Sequence, residues 1–371
     1  MARTVLITGV SGYLGDEVAG VLRHEPEIAR LIEVAEPDTV GDHGGPAQAR
    51  QEHPGDDRAG QDRPADGDGP ADPPRDADEL VVRIDARTAE IGDIINATGA
   101  DTVVHLGVAT TPRSAGGRAS MKETNIIGAI QLLNACQRSP SVRKLVVRSS
   151  TAVYGTSPGD PAVFTEDVEP RASHGYAKDI LEIERYVRGL ARRRPDITVS
   201  VLRFVNFLGR RVGSPLTRYF MLPVTPTVLG YDPRIQFVDI TDAAEVIRRM
   251  VLEDHRGTFN VTGRGAMLIS QCLRRAGRLP MPIPAQAFGT LADLGRGLFP
   301  DVSPEQRDLL RFGRVVDGTK LETELGWTPR YTTQDAFTRF VADRGLTGSG
   351  AVGAIGRLLR ATFADTAGGS G

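Results

Sequence analysis

The opening of this chain, Thr4-Val5-Leu6-Ile7-Thr8-Gly9-Val10-Ser11-Gly12-Tyr13-Leu14-Gly15, leaves few folds open. The apolar run Val5 to Ile7 reads as a buried strand. Three glycines follow at spacing G-x-x-G-x-x-G, and Asp16 to Arg23 has helical periodicity. Gly9 permits a tight turn, Gly12 lets the backbone approach a pyrophosphate, and Gly15 lets the helix pack close to the strand. The backbone N–H groups of Ser11, Gly12, Tyr13 and Leu14, with the positive end of the helix dipole, would face the phosphates. A strand before and a helix after this turn point to dinucleotide binding.

Composition narrows the class. The 371 residues can bury one or two cores, and 40% hydrophobic with 25% charged residues is the balance of a water-soluble globular protein. No run approaches the roughly 20 apolar residues of a membrane span. Arg3 leads directly into the first strand, without the pattern of a secretory signal. Cys136 and Cys272 stand on separate helical patterns and suggest no disulfide framework, and a reducing cytoplasm fits. The six histidines show no metal-ligand spacing. Residues 38–79 hold twelve acidic and four basic side chains, a net of −8, which leaves +6 on the rest of a chain whose net charge is −2. A mildly basic body suits an anionic cofactor or substrate. It carries no basic stripe with aromatics, which argues against nucleic acid.

The second strand, Arg30 to Glu36, ends where a dinucleotide fold carries the acid that binds the adenosine ribose. A carboxylate at Glu36 would accept from the ribose hydroxyls and repel a 2′-phosphate, favouring NAD over NADP. From Gly41 to Glu79 there is no Val, Ile, Leu, Met, Phe, Tyr or Trp. Such a segment cannot offset its ordering entropy by apolar burial, so 38–79 reads as a disordered acidic surface insertion. Leu80 to Asp85 is a third strand, with Asp85 and Ala86 placed to meet the adenine. A helix over Thr88 to Thr98 and a fourth strand, Asp101 to Ala109, follow. The small residues closing that strand, Leu106-Gly107-Val108-Ala109, leave room beside a cofactor. His105 reads as a packed strand-end histidine. Met121 to Arg138 is a long helix with Ile126, Ile127, Ile130, Leu132 and Leu133 as core candidates and Asn125 as a polar exception. Lys144 to Arg148 is a fifth strand running into Ser149-Ser150-Thr151. Strands alternating with helices predict a doubly wound parallel α/β sheet of Rossmann type, with ligands beyond the strands' carboxyl ends, where Gly12 and Ser150 both lie.

Together, Thr8-Gly9-x-x-Gly12-x-x-Gly15, Asp85, His105 to Ala109, Asn125, Ser149 to Gly155, Lys178 and Leu202 to Gly209 resemble the extended short-chain dehydrogenase/reductases, the NAD-dependent epimerase/dehydratases. The resemblance covers residues 3–340 apart from the insertion. It implies NAD as cofactor, a cytoplasmic homodimer, Asn125 beside the cofactor, and Asn206 at a substrate pocket. It also implies three working side chains: a tyrosine that takes or gives a hydroxyl proton while hydride moves to or from nicotinamide, a lysine that lowers the tyrosine pKa and holds the nicotinamide ribose, and a serine that hydrogen-bonds the reacting oxygen. By the pattern, Ser150 is that serine and Lys178 that lysine.

The tyrosine departs from the pattern. Four residues before Lys178 stands His174, and Tyr176 is only two before it. Four residues along a helix return to nearly the same face, whereas two turn to roughly the opposite one. Tyr176 would therefore serve only if Gly175 distorts the first turn. His174 has three open readings: an acid/base with a pKa near 6.5, a remnant in a site that binds cofactor without turnover, or a polar helix-start residue.

Thr198 to Phe204 is the sixth strand. Gln236 to Asp242 resembles a family segment in which an arginine two residues before the phenylalanine clasps a diphosphate. This chain has Ile235 there and Arg234 one position earlier, which counts against a nucleotide sugar. Arg203, Arg210 and Arg218 are anion-contact candidates, each with solvated surface charge as its plainer reading. Trp327, in Leu325-Gly326-Trp327, reads as core. The domain reading is 1–205 for the NAD-binding part, 206–344 mainly for a smaller substrate-binding part, and 345–371 for a flexible tail with a short amphipathic run, 354–363. The functional reading is an NAD-dependent oxidoreductase, epimerase (an isomerase) or dehydratase acting on a hydroxyl-bearing small molecule. Its rival is a catalytically degenerate NAD-binding scaffold or sensor for a protein partner.

Overall fold

A computed structural model of the chain describes residues 2–35, 78–85, 87–109, 117–172, 175–287 and 303–346. Glu36, Ala86, His174, nearly all of the acidic insertion and the 354–363 run lie outside the described residues.

Seven parallel strands form the central sheet: β1 (Arg3–Thr8), β2 (Ile28–Ala35), β3 (Asp78–Arg83), β4 (Thr102–His105), β5 (Lys144–Ser150), β6 (Thr198–Phe204) and, after four short strands, β11 (Gly257–Val261). Their spatial order is β11-β6-β5-β4-β1-β2-β3. The chain winds outward from β1 through β2 to β3, then crosses to β4 and winds the other way. Right-handed crossovers in opposite directions place helices on opposite faces. Thus α1 (Tyr13–Arg23) stands on one face, while α2 (Glu90–Thr98), α3 (Arg118–Arg138) and α4 (Gly175–Arg193) pack in a row on the other. The point where the winding reverses lies between β1 and β4, and their carboxyl ends carry the glycine turn and residues 106–109. That is where a doubly wound sheet opens its ligand crevice.

The near-continuous apolar strands follow from burial on both faces. Val5, Leu6 and Ile7 have no exposed surface, nor do Val103, Val104, Leu145 and Val146. Two expectations need correction. Asp78 and Glu79 belong to β3 rather than to the insertion, because backbone pairing with Arg30 and Leu31 of β2 extends the strand past its apolar residues. Ile127 is 40% exposed, since it points away from the α3 face that buries Ile126, Leu132 and Leu133.

Most of the remaining elements contribute to a second, smaller core. They are β7 (Asn206–Leu208), α5 (Pro215–Met221), β8 (Val224–Val228), β9 (Arg234–Ile235), β10 (Phe237–Asp239), α6 (Ile240–Leu252), β12 (Met267–Leu268), α7 (Ile269–Arg275), β13 (Leu279–Ile283), α8 (Pro304–Phe312), α9 (Thr319–Leu325) and α10 (Thr333–Asp343). Of these, α6 packs back onto α1 and α9 onto β11. Phe220, Phe237 and Phe337 anchor this second core, with ring centroids 5.0 to 6.0 Å apart. Such tilted and edge-on pairs add to the area they bury. Cys136 lies in the first core and Cys272 in the second, both as buried free thiols.

A buried polar network clamps α4 to the sheet. Arg203 of β6 donates Nε and Nη2 to Glu184 of α4 at 2.9 and 2.6 Å, and Nη1 to the Tyr154 hydroxyl at 2.9 Å. Ser149 of β5 donates to Glu184 at 2.5 Å, and Tyr154 donates to Asn260 of β11 at 2.9 Å. Arg203 is therefore a structural ion-pair partner and contacts no ligand space, against the expectation from sequence. A buried charge that loses its partner is costly. Glu184→Ala is expected to lower the unfolding free energy by about 3–5 kcal/mol, measured by urea denaturation.

Candidate active site

The glycine turn is built as its sequence requires. Gly9 has φ +81°, and a Cβ on it would lie 2.3 Å from the Gly107 nitrogen. A Cβ on Gly15 would lie 2.3 Å from the Gly9 carbonyl oxygen. The turn thus touches both its own helix and the loop after β4, backbone to backbone. Gly12 is the exposed N-cap of α1, no side chain caps the helix start, and a Cβ there would approach only the Gly9 carbonyl, at 3.6 Å. The backbone above Gly12 is consequently open to a ligand.

Several expected cofactor residues flank this turn. Leu106 is buried, while Gly107 and Val108 are half-buried beside it. Asn125 is 1% exposed. It accepts from the Ala109 N–H at 2.8 Å and donates to the Ala109 carbonyl at 3.0 Å, so it holds the loop after β4. Asp85 accepts from Arg87 through both carboxylate oxygens, and this hydrogen bonding holds its carboxyl below the usual range. Asn206 is half-buried on β7 and donates to the Gln236 carbonyl at 3.3 Å. His105 is packed as expected: its Nδ1 lies 2.8 Å from the Thr8 hydroxyl. Burial, then the neighbouring Arg148 cation, pushes its pKa from 6.5 down to about 4.

The helix start decides which side chain meets Ser150. Gly175 has φ +61° and is the first residue of α4. Its carbonyl accepts from Arg118 at 2.9 Å, and Arg118 also pairs with Asp179, Nη2 to Oδ1, at 2.8 Å. The buried face of α4 runs through Asp179, Ile180, Ile183, Glu184 and Val187. Tyr176 is in phase with that face, three and four residues before Asp179 and Ile180. Lys178 is out of phase and exposed. Ser150, the last residue of β5, accepts from the Ala152 N–H at 3.2 Å through its hydroxyl oxygen. Burial pushes the Tyr176 pKa up, and Arg148 and the Ser150 hydrogen bond oppose that rise. Tyr176 is thus half-buried in the first turn of α4, whereas Lys178 is exposed. Arg148, two positions before Ser150 in an otherwise apolar strand, is a half-buried cation that sequence reading did not single out.

The arrangement sets a glycine turn at the switch point of a doubly wound sheet, with Ser150 at the end of β5 and Tyr176 at the start of α4. The chain belongs to the NAD dependent epimerase/dehydratase family, whose model matches residues 5–262. Within that family, uncharacterized proteins of Mycobacterium bovis and Mycobacterium tuberculosis are 43% identical over 269 residues, 72% of this chain and 72% of theirs. Among solved structures, dTDP-glucose 4,6-dehydratase of Bacillus anthracis in complex with NAD superposes with a TM-score of 0.66 at 16% identity, covering 92% of this chain and 96% of that one. UDP-glucose 4-epimerase of Thermotoga maritima with UDP-glucose gives 0.65 at 16% identity, covering 92% and 98%. The described residues include no helix long and apolar enough to cross a membrane.

Two predictions follow from the turn and the strand beneath it. Gly15→Ala is expected to lower stability by about 1–3 kcal/mol, because backbone blocks its Cβ. Gly20→Ala, on the same helix with nothing within 4 Å of its Cβ, is expected to raise stability by up to about 1 kcal/mol. Urea unfolding of the pair checks both. His105 stays neutral when folded between pH 6.5 and about 4, whereas the unfolded ring takes up a proton there. Acidification through that window therefore favours unfolding, and the loss levels off below it. His105→Asn is expected to flatten that part of the stability–pH curve, read from urea midpoints across the window.

Proposed function

We propose that this chain is an NAD-dependent oxidoreductase of the epimerase or dehydratase type, acting on a secondary hydroxyl of a sugar derivative. One observation carries the reading: an open glycine turn stands at the switch point of the sheet, with Ser150 at the end of β5 and Tyr176 in the first turn of α4. The donor set fits a dinucleotide. The open backbone above Gly12 and the uncapped start of α1 suit a pyrophosphate. Tyr13 and Leu14 open that helix, and Leu106, Gly107 and Val108 would flank the nicotinamide side. Bound NAD would supply the hydride acceptor at this site.

The protein's own part is to hold the hydroxyl and move its proton. Ser150 donates to the reacting oxygen and orients it. Tyr176 exchanges the hydroxyl proton through its own oxygen, giving it to the substrate as a phenol and taking it back once ionised. UDP-glucose 4-epimerase and dTDP-glucose 4,6-dehydratase share this shape, which makes nucleotide sugars the first substrates to test. Ile235 is fully buried and Arg234 donates to the Ala162 carbonyl at 3.3 Å, so neither offers a diphosphate clasp. This favours a sugar derivative lacking that group.

The exposed position of Lys178 favours a second reading, an NAD-binding protein that has lost turnover. Turnover assays with NAD and a panel of UDP-glucose, dTDP-glucose and simple sugar lactols separate the two, with reduced nicotinamide and product sugars as readouts. Tyr176→Phe is expected to lower turnover about 10²–10⁴-fold while NAD binding, measured by calorimetry, is retained. NAD binding without turnover of any panel member would favour the scaffold.

A further inference from the structure

The ribbon of β8 and β13 carries an apolar surface that the candidate active site does not use. Its strands run parallel, with Leu279 beside Val224 and Ile283 beside Val228. Leu279 donates its N–H to the Pro223 carbonyl, and Leu229 donates to the Ile283 carbonyl. Leu279 thus marks one end of the ribbon, where Met221 stands two residues before Pro223. Leu229 and Tyr231 mark the other end, about 16 Å away. Met221, Leu279, Leu229 and Tyr231 are 43, 47, 57 and 40% exposed, respectively. Between the two ends, Pro280 and Pro282 of β13 are exposed as well. Single apolar residues on a surface need no explanation, but a ribbon that shows them along its whole length does.

A free sheet edge ordinarily takes another strand. Here that mode is closed. N–H directions alternate along a strand, and Leu279 turns its own toward the β8 side. Positions 280 and 282 are therefore the ones that would donate outward, and both are proline. The surface offers apolar contact without directional bonding. Its charge is one-sided. The two stretches that build it, 214–231 and 269–287, contain Arg218, Arg274, Arg275 and Arg278 and no Lys, Asp or Glu. Arg218 is exposed on α5, one turn before Met221, and Arg274 is exposed on α7. Arg278 donates Nε to the Phe220 carbonyl at 3.1 Å, which keeps its charge at the end of α5, next in sequence to Leu279. Asp232, the acid that follows Tyr231, is taken up by Ser270, accepting from its N–H and its hydroxyl at 2.9 and 2.7 Å.

We propose that this face of the smaller core docks on an anionic lipid bilayer, with Met221, Leu229, Tyr231 and Leu279 entering the headgroup region and the arginines meeting lipid phosphates. Arginine stems can lie along apolar surface while their heads stay with phosphate. Tyrosine suits the same depth, its ring on the hydrocarbon side and its hydroxyl toward water. A second copy fits the face less well. A two-fold contact sets each patch against itself, and that would bring these arginines together.

The test uses the full chain and vesicles of phosphatidylcholine, with or without about a quarter phosphatidylglycerol. Bound protein is measured by co-sedimentation. Wild type is expected to bind the anionic vesicles at least about fivefold better than the neutral ones, and to lose that preference between about 0.05 and about 0.5 M salt. The pairs L229S/L279S and R218Q/R274Q are each expected to lower anionic binding about fivefold or more. R185Q/R192Q makes the same charge change on exposed arginines of α4 and is expected to leave binding unchanged. If L229S/L279S fails to fold, L229S alone and R218Q/R274Q carry the comparison. Failure to bind either vesicle overturns the proposal and leaves an acidic protein as the occupant to test. Equal binding to both vesicles, or binding that survives both patch pairs, overturns it too. So does a loss in R185Q/R192Q that matches R218Q/R274Q, since net charge alone would then explain binding. Sedimentation velocity of the free protein reads the last alternative: a change of oligomeric state in L229S/L279S assigns the face to a second copy and overturns the proposal.

Discussion

The Glu184–Arg203 ion pair fixes where α4 lies, and the geometry of the candidate site depends on that position. Glu184 receives Arg203 from β6 and Ser149 from β5, so one carboxylate holds the helix across two neighbouring strands. Both charged side chains are 3% exposed, and both hydrogen-bond further partners. A buried pair of this kind adds little net stability over apolar packing, but its directional bonds fix registry. Here registry means rotation of α4 about its axis. With Glu184 locked inward, the residues two turns earlier that face the sheet are set, and Tyr176 is among them while Lys178 is not.

Much of the sheet was legible in the sequence because its strands are buried on both sides. Apolar runs such as Val5 to Ile7 and Leu145 to Val147 leave little doubt, and the sixth strand, Thr198–Phe204, has the limits its residues suggest. The glycine turn was legible for a different reason. Gly9 and Gly15 are demanded by backbone that a Cβ would approach to 2.3 Å, while Gly12 leaves its side of the turn open. Less legible was β11, the seventh strand. Its five residues, Gly257–Val261, carry polar Thr258 and Asn260, and Asn260 is buried because it serves Tyr154 rather than solvent.

The site itself was half legible. Ser150 follows from its place at a strand end, and Tyr176 was admitted only on the condition that Gly175 bend the chain. A positive φ at Gly175 meets that condition, yet the larger reason lies elsewhere. Helix phase is set by every buried contact along α4, whereas a spacing rule counted back from Lys178 uses a single residue.

The close approach of Gly9 and Gly107 gives the two turns that frame the crevice a common mechanical fate. Backbone packed on backbone has no side-chain rotamers through which to yield, so neither turn can shift without carrying the other. Asn125 extends this linkage to α3 by gripping both polar groups of Ala109. A ligand drawn onto the glycine turn would therefore stiffen the far wall of its own pocket. The floor would be made rigid by architecture, and whatever adaptability the protein shows toward different molecules would have to come from the smaller core facing it.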